Sequence, residues 1–252
     1  MTRKEGFIEV DKMLQEIGVD TTNLNSILES PQVKQIDYIY ESKVHFSFTY
    51  HNEIYYFKKD TYPNCSPYNE LVACELAKDF GIPCVEYDLA ILGGTTKGVI
   101  SKNFRLENVQ YISGEELFTN VWDKYHIRTS NNLEYIWNAL EHHYYSLPNK
   151  REIIAKLTNK IVNIYLFDII TGQGDRHEGN WKIIEYKNNP NIAPLYDNER
   201  ILMNSSKNIE VCLTVENSNV DCEAIDKSIK QFRKVSSEEF TNIIKDKLWI
   251  IC

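Results

Sequence analysis

The stretch Phe167–Trp181, FDIITGQGDRHEGNW, decides how the rest of the chain is interpreted. Its first residues continue a long apolar pattern that is typical of a helix. That pattern ends at the letters TGQG, where two glycines favour a turn. The next six residues, from Asp175 to Asn180, are dense in side chains that take part in catalysis. We therefore predict a helix that ends in a polar loop.

A second carboxylate, Asp197, follows further along the chain, at the end of the short apolar segment from Ile192 to Tyr196. Phosphoryl transfer needs a carboxylate that orients the attacking hydroxyl, together with an amide oxygen and a second carboxylate that bind Mg²⁺. The simpler alternative is that Asp175 and Asn180 only make local backbone hydrogen bonds in a helix-terminating loop. Three polar groups at matching spacings favour the functional interpretation.

The letters DRHEGN at 175–180 resemble the D-R-H-x-x-N catalytic loop of HipA-type bacterial serine/threonine kinases and of phosphatidylinositol 3-/4-kinases. The segment APLYDN at 193–198 resembles the HipA-type metal segment rather than the I-D-F-G of lipid kinases. The resemblance covers roughly residues 35–245. It implies that Asp175 is the catalytic base, that His177 braces the catalytic loop, and that Asn180 and Asp197 are the metal ligands. It also implies ATP and Mg²⁺ as cofactors.

Between Gln35 and Lys59, well before this loop, the sequence is rich in aromatic and β-branched residues, which predict a β-meander. Its predicted strands are Tyr38–Tyr40, Val44–Tyr50 and Ile54–Phe57, with a turn at 51–53. A helix is predicted next, with Ser66 as its N-cap and Gly81 and Pro83 closing it.

Glu70 falls inside the apolar arc of this helix, near Ala73, Cys74 and Ala77. A buried carboxylate needs a cationic partner, and Lys58 and Lys59 end the preceding strand. A strand lysine paired with a helix glutamate is the pair that positions ATP phosphates in kinases. Alternation along the strand does not choose between the two lysines. The resemblance favours Lys58, because the family's lysine directly follows the apolar run.

Two further strands are predicted at Val85–Leu92 and Gly98–Ser101. In the family, the chain leaves the second of these strands through a hinge whose backbone holds adenine. The resemblance therefore implies a hinge within Ser101–Arg105, with Ser101 and Lys102 at the nucleotide.

The rest of the chain is predicted to be mostly helical, with helices at 133–147, 150–171, 223–234 and 236–250. Asp168 continues the apolar stripe of the second helix, so we predict a buried structural residue there. The fold class that we expect is α+β, a two-lobed protein-kinase-like fold. Its β-rich N-lobe spans residues 1–104 and its helical C-lobe spans residues 105–252.

Composition limits the classes of function. The chain has 252 residues, 42% hydrophobic and 25% charged, with a formal net charge of −8. That charge argues against broad nucleic-acid or anionic-membrane binding. The six cysteines show neither C-x-x-C nor zinc spacing, so we expect free thiols in the bacterial cytoplasm. No apolar run has the length of a signal or membrane segment, which leaves export without an apolar signal as the alternative to the cytoplasm. Glu141-His142-His143 is interpreted as a surface group rather than a metal site.

We therefore expect ATP- and Mg²⁺-dependent phosphorylation of a Ser or Thr hydroxyl on a protein. The resemblance implies a protein substrate and an antitoxin-like regulatory partner. One departure concerns the family's small-residue phosphate loop, because Asp37–Lys43 contains no glycine and Ser42 is the nearest regulatory serine. A phosphoinositide or small-molecule kinase is one alternative. A nucleotide-binding pseudokinase that acts as an interaction module is the other.

Overall fold

A mixed β-sheet organises the first part of the chain. The structure is a computed structural model that describes residues 6–36, 43–60, 68–125, 133–173, 176–186 and 189–201. Within these residues, the sheet contains strands β1 (Ile8–Glu9), β2 (Val33–Gln35), β3 (Lys43–Tyr50), β4 (Glu53–Asp60), β5 (Tyr87–Leu92) and β6 (Thr96–Lys102). Their order is β1-β5-β6-β4-β3-β2, and all neighbours are antiparallel except β1 and β5.

The predicted hairpin between β3 and β4 is present. Both residues of its turn have positive φ, 49° at His51 and 63° at Asn52. Positive φ at both central residues is the feature of a type I′ turn, whose twist matches that of the flanking strands. This turn fixes the register that pairs His45 with Lys58.

Three helices of the described part of the chain accompany the sheet, namely α1 (Val10–Glu16), α2 (Leu24–Glu29) and α3 (Tyr68–Asp79). The apolar residues of α1 and α2 pack with those of β3 and β5 into one core. Helix α3 packs against β5 and β6. Its buried residues include Glu70, as the apolar arc predicted. Because β4 is the next strand after β6 in the sheet, a long side chain of β4 can reach α3.

The second part is built from α4 (Gly114–Tyr125), α5 (Leu133–His143) and α6 (Lys150–Thr171), whose apolar faces share a larger core with α3. Helix α6 has the predicted bounds. A small sheet, in the order β7-β8-β9, packs beside these helices. It consists of β7 (Gln110–Ser113), β8 (Lys182–Glu185) and β9 (Asn191–Ile192), none of which the sequence analysis predicted. Strands this short show too few alternations to be told from loops.

Among the described residues, none of the helices combines the length and apolar character needed to cross a lipid bilayer. Several predictions fall outside the described residues: the strand at 38–40, the N-cap at Ser66, the catalytic base Asp175 and the closing helices at 223–234 and 236–250.

Candidate active site

A cleft of about 580 Å³ lies between the first sheet and the segments around the small sheet. That volume is within the usual range of small-molecule sites. Its walls combine aromatic and aliphatic side chains with a group of charged ones. The charged lining residues are Lys43, Lys58, Lys102, Arg105, Lys182, Arg200, Glu70, Asp197 and Glu199.

Lys58, near the end of β4, enters this cleft and meets Glu70 of α3. The Lys58 Nζ lies 3.3 Å from Glu70 Oε1, and Glu70 is fully buried. This is the contact that the sequence analysis expected for Lys58 rather than Lys59. Gly98 of β6 allows the β6 backbone to lie close to Lys58, because a Cβ at position 98 would lie 2.4 Å from the backbone oxygen of Lys58. The contact is present, and its role toward a nucleotide stays a prediction.

Two more carboxylates converge on the same ammonium. Lys58 Nζ lies 2.9 Å from Asp197 Oδ1 and also contacts the carboxylate of Glu199. Burial disfavours the charged form of Lys58, but the surrounding carboxylates outweigh that effect and hold its pKa well above the ordinary value. Lys58 is therefore charged throughout the physiological pH range.

The three carboxylates outnumber the ammonium and leave an excess of negative charge. Oxygens of Glu70, Asp197 and Glu199 all lie within 4.8 Å of one another. Burial raises the pKa of Glu70 despite the nearby ammonium. Burial also opposes ionisation of Asp197, but Lys58 outweighs it and lowers the Asp197 pKa. Oxygen ligands of this kind are what Mg²⁺ prefers, so the donor set fits a divalent cation.

Asn180, the other predicted metal ligand, is buried in a short 3₁₀ helix at Glu178–Asn180. Gly179, which precedes Asn180, is hydrogen-bonded to Tyr196, which precedes Asp197. Tyr196 Oη donates to the Gly179 backbone oxygen at 2.8 Å. The structure thus brings the loop of Asn180 and the segment of Asp197 together, as the predicted metal site requires. His177 is exposed, and its Nδ1 accepts a hydrogen bond from Gly179 N at 3.1 Å. It therefore caps the 3₁₀ helix, and its bracing role in catalysis stays a prediction.

Arg176 is the structural centre of this region. It is buried and forms a two-pronged pair with Asp168 of α6, at 2.9 and 3.1 Å. Its Nη1 donates to the backbone oxygens of Asn180 and Tyr196, at 2.9 and 3.0 Å. Its Nη2 donates to Asn198 Oδ1 at 2.6 Å. One guanidinium thus ties the helix, the loop of Asn180 and the segment of Asp197 together, and Asp168 is the buried structural residue that the sequence predicted.

The backbone at Asp197 is strained. Its φ is +60°, in the left-handed region, which a non-glycine residue seldom adopts, although aspartate and asparagine adopt it more readily than most. Hydrogen bonds hold the peptides on both sides: Arg176 donates to the Tyr196 oxygen, and Gln173 Nε2 donates to the Asp197 oxygen at 3.0 Å. The conformation therefore persists because buried donors fix it, and it directs the carboxylate toward Lys58.

The predicted hinge lines the cleft along its whole length, from Ser101 to Arg105. Ser101 is buried between β4 and β5, and Lys102 is exposed. The ring of Phe104 stacks on Tyr196, with centroids 5.6 Å apart. The hinge thus packs directly on the residue that precedes Asp197.

The sequence analysis missed three residues that the structure places at this site, namely Arg176, Asn198 and Glu199. All three lie within the motifs that were quoted or directly after them, so proximity to the motif was the available signal. Their contacts depend on how α3 and α6 approach the loops, which no local pattern reports. One interpretation also needs correction. His143 is not a free surface residue: it is partly buried, with its Nε2 3.1 Å from Glu185 of β8.

Neither family models nor curated proteins match the sequence. Solved structures do resemble the fold. The kinase CtkA of Helicobacter pylori, described as proinflammatory, is 18% identical over 80% of this chain and 82% of its own, with a TM-score of 0.57. This chain has a protein-kinase-like fold.

Two other solved structures are more distant. HipA of the Shewanella oneidensis toxin–antitoxin system, solved with HipB and operator DNA, is 15% identical over 78% of this chain and 52% of its own, with a TM-score of 0.44. The choline kinase LicA of Streptococcus pneumoniae is 16% identical over 95% of this chain and 88% of its own, with a TM-score of 0.31. The conclusion on the fold rests on the first structure alone.

Proposed function

We propose that this chain is a kinase that transfers the terminal phosphoryl group of ATP, with Mg²⁺, to a Ser or Thr hydroxyl of a protein. The observation that carries the proposal is the convergence of Lys58, Glu70 and Asp197 in one cleft. A lysine held by a helix glutamate, next to a carboxylate on a strained turn, is the arrangement that positions phosphates and their metal in kinases. The protein substrate and its hydroxyl follow from the motif resemblance, and so does an antitoxin-like regulatory partner.

Each residue has a distinct role in this proposal. Lys58 binds the ATP phosphates while Glu70 keeps its ammonium in place. The hinge from Ser101 to Arg105 holds the adenine. Asn180 and Asp197 would hold Mg²⁺, which neutralises charge on the phosphates when bound. Asp175 orients the acceptor hydroxyl and takes its proton.

The charge of the cleft supports a phosphorylated ligand. The chain carries a net charge of −8, yet among the described residues six of the charged ones that line the cleft are lysine or arginine and three are acidic. The excess of cations is local and therefore suits a polyanion that enters this cleft. The hinge contributes two of these cations, Lys102 and Arg105.

The test is incubation of the purified protein with labelled ATP, Mg²⁺ and a bacterial lysate, followed by mass spectrometry of the new phosphosites. We expect phosphoserine or phosphothreonine on a small set of proteins. The matched control is Asp175→Asn, which keeps the shape of the side chain and removes its charge. It should lose nearly all transfer and keep ATP binding, because positioning the acceptor matters mainly for the reaction. Label found only on a lipid or small-molecule fraction would show that the substrate is not a protein. Equal transfer by Asp175→Asn and the wild-type protein would show that Asp175 is not the catalytic base.

A further inference from the structure

Asn198, directly after Asp197, is fully buried and bonded on both sides. Its Oδ1 accepts from Arg176 Nη2 at 2.6 Å, and its Nδ2 donates to Glu70 Oε2 at 3.3 Å. Its backbone N–H donates to that same glutamate oxygen at 2.8 Å. The other oxygen of Glu70 faces Lys58. Asn198 thus binds Glu70 Oε2, the carboxylate oxygen that faces away from Lys58.

These contacts form a continuous buried chain through the molecule. It runs from Asp168 on α6 to Arg176, then to Asn198, then to Glu70 on α3, and ends at Lys58 on β4. All five residues are buried. This series of contacts connects α6, which supports the loop of Asn180, to strand β4, which contains Lys58. This route does not include the Asp197 carboxylate, which pairs with Lys58 separately.

We propose that Asn198 is a positioning residue that sets the Glu70 carboxylate, and through it the Lys58 ammonium, against the Arg176-braced loop. This inference rests on the proposed function, in which Lys58 binds the ATP phosphates. A primary amide suits the position because it offers an acceptor to the guanidinium and a donor to the carboxylate without adding charge. An aspartate would satisfy Arg176 equally well but would place a second carboxylate against Glu70.

A purely structural role would be different, since Asn198 could simply anchor the segment from 197 to 201. Asn69 of α3 anchors that same segment from another side. Its Nδ2 donates to the backbone oxygens of Glu199 and Ile201, at 2.7 and 3.1 Å. Asn69 lies next to Glu70 in the helix but donates these bonds to backbone oxygens rather than to the Glu70 carboxylate. It therefore provides a matched control for loosening the segment.

The experiment compares Asn198→Asp and Asn69→Ala with the wild-type protein. The readouts are the ATP KM and kcat of transfer, the Kd for ATP with Mg²⁺ by calorimetry, and the Tm. For Asn198→Asp we expect the KM and Kd for ATP to rise about tenfold, with a smaller change in kcat, because Lys58 loses its fixed position. For Asn69→Ala we expect a lower Tm with a change in KM of less than about twofold.

Each outcome of this experiment decides for or against the inference or the proposed function. An unchanged ATP affinity in Asn198→Asp overturns the inference, and so do equal losses of affinity in the two variants, which would indicate a mere anchor. A wild-type protein that binds no ATP contradicts the proposed function itself. If Asn198→Asp does not fold, Asn198→Ala replaces it. That variant keeps the backbone bond to Glu70 and is expected to raise the KM in the same direction by a smaller factor, whereas a wild-type KM would overturn the inference.

Discussion

At the end of β4, two neighbouring lysines point to opposite faces of the sheet, and Lys58 is the one that lines the cleft. Replacing Lys58 with methionine removes the proposed phosphate contact and leaves Glu70 buried beside two other carboxylates. We expect Lys58→Met to weaken ATP binding at least tenfold and to destabilise the fold by about 3 kcal/mol. Lys59→Met is the control, with a change within about 0.5 kcal/mol. Calorimetry with ATP and urea unfolding measure both effects, and reversed phenotypes would assign the role to Lys59.

Sequence alone could predict this contact because burial imposes a need. Glu70 falls in an apolar arc, and an unpaired buried carboxylate is too costly to keep. Glu199 lies in no apolar pattern that would predict its burial, since an acidic residue after Asp197-Asn198 is equally compatible with an exposed position. Its place beside Lys58 depends on how the segment after Asp197 packs against α3, and no local sequence pattern reports that packing.

The element that supports the site is α6, whose last buried carboxylate, Asp168, pairs with Arg176. The helix was predictable to the residue because its apolar spacing runs uninterrupted from Lys150 to the glycine turn. The small sheet β7-β8-β9 was not, because its strands of two to four residues depend on pairing with distant segments. Long periodic elements are thus legible in a sequence, whereas short strands acquire their structure from their partners.

Breaking the Asp168–Arg176 pair should therefore release the loop from the helix. Asp168→Asn leaves a buried guanidinium without its counter-charge, and we expect a loss of about 3–5 kcal/mol in the free energy of unfolding. Lys12→Ala is the contrasting variant, because it removes an exposed pair with Glu9 that contributes at most about 1 kcal/mol. Urea denaturation measures both. Similar small losses in the two variants would mean that the contacts of Arg176 with Asn198 and with backbone oxygens are enough to stabilise it.

At the scale of the whole molecule, the proposed function requires a chain with a net charge of −8 to bind a polyanion next to three clustered carboxylates. The other charged lining residues among those that the structure describes are cations. Lys58 offsets one of the carboxylate charges. A divalent cation would offset the remainder, so ATP binding should depend strongly on Mg²⁺. We expect the Kd for ATP to rise at least about a hundredfold when EDTA removes the metal, which corresponds to two steps of 1.4 kcal/mol each.

Glu199→Gln tests whether the local cluster or the overall charge causes this dependence. The variant removes one negative charge beside Lys58, so we expect tighter ATP binding in EDTA. The ratio of the Kd for ATP in EDTA to the Kd in Mg²⁺ should therefore be smaller than in the wild-type protein. Glu152→Gln removes the same charge from the exposed start of α6, about 24 Å along the helix axis from Asp168. That distance exceeds the Debye length of about 8 Å at physiological ionic strength, so its ratio should match that of the wild-type protein. If the two variants shift the ratio equally, the net charge of the molecule governs the metal dependence and the carboxylate cluster does not.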